Sequence, residues 1–112
     1  MSKRDAAILL EDIREAVAKI GRYVSGMDRT AFLGDEKTVD AVVRNVEIIG
    51  EAVKQLPDNF KAANSAVPWA QIAGLRNRIV HDYAGVDIEI IWQVVQESLP
   101  ELITQISNIS TS

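Results

Sequence analysis

No cysteine occurs in this chain, which removes disulfides, thiolate metal sites and cysteine nucleophiles together. Histidine is nearly as scarce, with His81 standing alone. A bundle metal site would need His or Glu-x-x-His partners on facing helices, so no metal site is expected. No apolar run approaches the ~18–20 residues that a membrane span requires. The opening Met-Ser-Lys-Arg-Asp leads to Glu11 and Asp12 without the apolar core of a signal peptide, so the expectation is a cytoplasmic protein away from membranes. Aromatic residues make up only 5% of the 112 positions, which leaves a lone copy with a thin core. There is no glycine-rich phosphate loop, no Gly-x-Ser-x-Gly and no dinucleotide fingerprint.

Basic residues are missing from one end of the chain. All twelve Lys/Arg lie in residues 1–83, whereas residues 84–112 carry Asp87, Glu89, Glu97 and Glu101 and no base. With a formal charge of −4, broad electrostatic capture of a nucleic-acid duplex is disfavoured, and any such work rests on a few placed cations.

What is present is helical period. Ala6, Leu10, Ile13, Val17, Ile20 and Val24 predict an amphipathic helix from about Asp5 to Ser25, ended by Gly26. Val39, Val42, Val46, Ile49, Val53 and Leu56 predict a second, from about Asp35 to Leu56, stopped by Pro57. A third starts at Pro68 and uses Trp69, Ile72, Leu75 and Ile79, with Gly85 as its stop. Asp87 is placed to cap a fourth, whose stripe is Ile88, Trp92, Val95, Leu99, Leu102 and Ile106. Pro100 falls inside that stripe and should kink it or break it one turn earlier. Both tryptophans sit at core spacing, so a stacking platform for single strands is not expected. Residues 26–34 and 57–67 read as loops or short turns, and strand signals are poor. The expectation is one domain over 1–112, an all-α up-and-down four-helix bundle with a frayed tail from Ser107 to Ser112. A homodimer would bury the apolar stripe that four helices leave over.

Chemistry gathers at Gly74-Leu-Arg-Asn-Arg-Ile-Val-His-Asp-Tyr83, where Arg76, Asn77, Arg78, His81, Asp82 and Tyr83 crowd the end of an apolar helix. Asn77 and His81 are four apart and share a helical face, as do Arg76 and Tyr83, seven apart. Arg76 and His81 would differ by roughly 140° on one straight helix. Either the helix unwinds near His81, or a second copy completes the site. By residue type alone, the cluster also suits a dipole-stabilised histidine and a solvated salt-bridge group.

Arg76, four intervening residues, His81, any residue and Tyr83 resembles the signature of the HepT-type toxins of the HEPN domain class, and Asn77 fits the polar position after the arginine. The resemblance spans most of the chain. It includes Asp35-Glu-Lys-Thr, Asp40-Ala-Val-Val-Arg-Asn-Val-Glu-Ile-Ile-Gly-Glu-Ala52, Val67-Pro-Trp-Ala-Gln-Ile-Ala-Gly-Leu-Arg-Asn77, Gly85-Val-Asp, Ile91-Trp and Leu99-Pro. It implies a dimeric, all-α, metal-independent ribonuclease, the toxic half of a toxin–antitoxin pair, with transfer RNA as a candidate substrate. Its partner would be an MNT-type nucleotidyltransferase antitoxin that moves AMP from ATP onto the motif tyrosine, here Tyr83.

Residue chemistry is compatible with that role. RNA carries its own nucleophile, the 2′-hydroxyl, and an imidazole with an unperturbed pKa of about 6.5 suits a base near neutrality. Arg76 and His81 are the candidate catalytic pair, with Arg76 donating paired hydrogen bonds to phosphoryl oxygens. The other subunit's histidine would serve the leaving oxygen in an active site at the dimer interface. Asn77 either orients the imidazole, touches phosphate or bridges helices, and Arg78 is either an RNA-backbone contact or a surface cation. Tyr83 is a buried aromatic, a stacking or phosphate contact, or the modified residue; Asp82 has no assigned role. Glu47 and Glu51 share a face but lack metal-binding partners, and Arg44 and Asn45 are expected to line a dimer groove near the motif. The competing reading is a non-catalytic, nucleotide-binding or interaction partner of a nucleotidyltransferase.

Overall fold

A computed structural model describes residues 5–81 and 85–109. Aspartates start the helices. Asp5 accepts from the Ala7 N–H at 3.2 Å and opens α1 (Ala6–Tyr23). Asp28 accepts from Ala31 at 2.8 Å and opens the short α2 (Arg29–Leu33). Asp35 accepts from Thr38 at 3.1 Å and opens α3 (Glu36–Gln55). In each case the carboxylate satisfies a backbone donor that the first helical turn leaves unpaired. The hydrogen bonds from Thr38 also hold the Asp35 carboxyl below its ordinary pKa. At the other end of α1, Gly26 takes a φ of +78°, a left-handed conformation that a side chain would resist.

The α3 stripe is buried as its spacing predicts, from Val39 through Val42, Val46, Ile49 and Val53 to Leu56. On α1 the buried face is Leu9, Leu10, Ile13, Ala16 and Ile20, while Ala6, Val17 and Val24 lie at its edge. This face lies against α3, which forms the centre of the molecule and also meets α2 and the later helical turns Trp69–Ala73, Leu75–Ile79 and Ile88–Gln93. Residues 26–34 and 57–67 contain more structure than loops, namely α2 and α4 (Asp58–Ala63).

The third segment departs furthest from the expected single helix. It splits at Gly74 into α5 (Trp69–Ala73) and α6 (Leu75–Ile79), each little more than one turn. Gly85 does not stop this helix, because it has already ended at Ile79. The chain instead forms a minimal antiparallel pair, β1 (Val80–His81) and β2 (Gly85–Val86), with Val80 opposite Val86 and His81 opposite Gly85. The Asp87 N–H then donates to the Ile79 carbonyl at 2.7 Å and closes the excursion. Gly50 has its own packing reason: a β-carbon there would come within 3.3 Å of the Ala73 carbonyl oxygen, so its lack of one lets α3 and α5 approach closely.

Asp87 caps α7 (Ile88–Gln93) as expected, accepting from Ile90. Pro100 does not end the last helical segment, but the α geometry is interrupted about one turn earlier. A π turn over Val94–Ser98 leads into α8 (Leu99–Ser107), and Pro100 falls in its first turn. A proline can neither donate to nor sit easily beside the carbonyl four residues back, and the wider turn accommodates both restrictions. The extra residue rotates the upstream face by roughly 100°. Ile91 and Val94 are therefore buried, while the expected Ile88 and Trp92 are only partly so. Trp92 meets Phe32 with ring centroids 5.1 Å apart, and Arg29 pairs with Glu89, so α2 is fastened to α7 twice. The fold is all-α. Ser107, expected to begin a frayed tail, is the last residue of α8 and bonds back to Thr104; residues 110–112 lie outside the described ones.

Candidate active site

Leu75 and Ile79, four residues apart, are the buried anchors of α6, so Arg76, Asn77 and Arg78 between them are all exposed. The two arginines diverge, as residues about 200° apart on a helix must. Arg76 turns towards α3, where its Nε donates to Glu47 Oε2 at 2.8 Å. Arg78 turns towards the last helical segment, where its Nη2 donates to Gln93 Oε1 at 3.4 Å. Asn77 makes no side-chain hydrogen bond to another described residue, so the interhelical bridge is not formed. Of the cluster, the structure therefore assigns Arg76 and Arg78 to separate surfaces.

Arg76 opens onto a groove of about 420 Å³ between α1 and α3. Leu9, Ile48 and Ala52 give it an apolar floor, while Arg44, Asp12, Glu47 and Glu51 contribute charge. Arg44 thus lines a groove with Arg76 within one copy of the chain, rather than the expected groove between two copies. Asn45 does not line it: it is buried, it donates to the Ala41 carbonyl at 2.9 Å, and its Oδ1 has no hydrogen-bond partner among the described residues. Glu47 and Glu51 do share a face, but one pairs with Arg76 and the other with Lys54. Among the described residues, no group of three or more His, Cys, Asp or Glu could hold a metal ion. Arg78 lines a separate groove of about 460 Å³ with Gln71, Ile72, Glu101 and Leu102.

The helix ends before His81, whose backbone lies in β1. The angular conflict between Arg76 and His81 on one straight helix therefore does not arise, and the first of the two alternatives, unwinding, is the one observed. Tyr83 and Asp82 lie outside the described residues. Sequence reasoning missed the Arg76–Glu47 and Arg78–Gln93 contacts. No local signal announces a pair 29 or 15 positions apart; only the packing of α6 between α3 and α7 creates them.

Together these features define an all-α protein that displays guanidinium groups from a short helix just before the chain turns extended. The family described as ribonuclease HepT-like matches residues 13–109. Among curated relatives, the Probable ribonuclease HepT of Thermococcus cleftensis is 41% identical over 100 residues, covering 89% of this chain and 91% of its own. A candidate RNase of Methanocaldococcus jannaschii is 41% identical over 109 residues, covering 97% of this chain and 90% of its own. Another, from Caldanaerobacter subterraneus subsp. tengcongensis, is 41% identical over 100 residues and covers 89% of each chain. No solved structure matches the chain. The chain belongs to the ribonuclease HepT-like family. No helix among the described residues is long and apolar enough to cross a membrane.

Proposed function

We propose that this protein is a metal-independent endoribonuclease, the toxin of a toxin–antitoxin pair, which acts in the cytoplasm as a homodimer of single-domain subunits. The observation that carries the reading is the end of α6 at Ile79: Arg76 stands exposed on the last helical turn, and His81 follows on extended backbone. In the reaction, neutral His81 takes the 2′-hydroxyl proton of RNA. The 2′-oxygen forms a bond to phosphorus, the bond to the 5′-oxygen breaks, and that oxygen takes a proton from the partner copy's imidazolium. Arg76 donates to the phosphoryl oxygens as charge builds on them. Arg78, Asn77 and Arg44 contact the RNA backbone around the cut. The products carry 2′,3′-cyclic phosphate or 3′-phosphate ends, which end-group analysis of cleaved transfer RNA checks; 3′-hydroxyl ends would contradict the mechanism.

Silencing is assigned to an MNT-type nucleotidyltransferase that transfers AMP from ATP to the Tyr83 hydroxyl and releases pyrophosphate. The adduct adds negative charge and bulk next to the motif, which opposes phosphate binding. Tyr83→Phe should leave an active enzyme that ATP and the antitoxin no longer modify. Intact-mass measurement decides this, and an AMP adduct on the variant would move the target elsewhere. The acidic net charge and the three carboxylates of the α1–α3 groove favour one competitor, a non-catalytic partner of the nucleotidyltransferase that binds nucleotide or protein at the same cluster.

A further inference from the structure

We propose that Glu47 is the positioning residue of Arg76, and that α3 thereby sets the aim of the guanidinium. This inference rests on the reading of Arg76 as the phosphate-binding group. Arginine has five N–H donors in a planar fork. The Nε–H is committed to Glu47 Oε2 at 2.8 Å, and no described residue takes a hydrogen bond from the Nη groups. One edge of the fork is therefore clamped, and the Nη groups remain for a phosphoryl group in paired geometry.

The clamp is needed because Arg76 comes from the weakest part of the scaffold. Helix α6 has five residues, follows the interruption at Gly74 and gives way to β1 at once. The Arg76 side chain is 52% exposed, so without a second anchor its long stem would sample many rotamers. Glu47 supplies that anchor from the twenty-residue α3, between the buried Val46 and Ile49 turns of the central helix. An ion pair this exposed contributes little to folding stability. Its effect belongs instead to the orientation of a group that must meet charge developing in the transition state. Of the other acids in the groove, Glu51 is paired with Lys54.

Glu47→Ala should therefore lower kcat by about tenfold or more, with KM unchanged or lower, because the carboxylate orients Arg76 while opposing phosphate through its own charge. Glu47→Gln should fall between the wild type and Glu47→Ala, since an amide oxygen still accepts from Nε–H. In an Arg76→Ala background, Glu47→Ala should cost nothing further, a non-additivity that a purely structural role would not produce. Thermal midpoints and the Arg76 Nε–H signal in proton–nitrogen NMR accompany the kinetics. The signal should be protected in the wild type, lost in Glu47→Ala and kept in Glu47→Gln. An active wild type whose kcat is unaffected or raised by Glu47→Ala overturns the positioning role alone. A wild type that cleaves no RNA overturns the functional reading beneath it, and the inference falls with it. Should Glu47→Ala fail to fold, a Glu47→Gln variant with full kcat and an unprotected Nε–H would still overturn the proposal.

Discussion

Arg76 and Arg78 are two positions apart, yet one bonds to α3 and the other to the last helical segment. That separation makes their expected contributions unequal. If Arg76 stabilises charge on the reacting phosphoryl group, Arg76→Ala should lower kcat by about 10²-fold. Among the described residues Arg78 has only a long hydrogen bond to Gln93, and it is exposed, so Arg78→Ala should change kcat/KM by no more than a few fold and soften its salt dependence. Steady-state cleavage at two ionic strengths checks both, and equal losses would contradict the division of roles. At this scale the sequence shows where polar and ionisable residues gather, since the Arg-to-Tyr spacing singles out the cluster. It was silent on what holds them, because Glu47 lies 29 positions from Arg76 and reads in sequence only as another surface acid on a helix.

Two of the elements could be read from period alone. Helices α1 and α3 are long and uninterrupted, and each opens on an aspartate cap, so the 3.6-residue pattern has room to declare itself. The third and fourth segments obscured their structure in different ways. Gly74 and the turn to β1 divide the third into pieces too short to carry a period of their own. In the fourth, the π turn before Pro100 shifts the phase midway, so a single stripe fitted to both halves misses Ile91 and Val94. The caps give a pH-dependence with a definite sign. Asp35, held below its ordinary pKa by Thr38, stabilises the fold above the usual carboxylate range, and that contribution is lost as pH falls through its lowered folded value. Asp35→Asn keeps a cap without the titration. The thermal midpoint of the wild type should exceed that of the variant at pH 7, and the gap should close as the pH is taken well into the acid range; a constant gap would contradict the assignment.

At the scale of the whole molecule, the helices serve to present one broken stretch of chain. The core runs continuously from Leu9 and Ile13 on α1 through the α3 valines to Leu102 and Ile106 on α8. Against it, α6 is fastened by Leu75 and Ile79 just before the chain turns extended. The all-α class was legible because apolar period dominates the sequence. The unwinding at Ile79 was foreseen only as one of two ways to reconcile Arg76 with His81. Family membership makes the chain a ribonuclease HepT-like protein, and the chemistry proposed for it is a phosphodiester cut in which RNA supplies the nucleophile and the protein supplies a base and a cation. The measurement that tests this most directly is cleavage of total transfer RNA in EDTA by the wild type and by His81→Ala. The protein should be expressed without the proposed antitoxin, and its mass should be confirmed free of AMP. The account predicts cleavage by the wild type and a loss of at least about 10²-fold in the variant. Cleavage that survives His81→Ala, or an unmodified wild type that cuts no RNA, would contradict it.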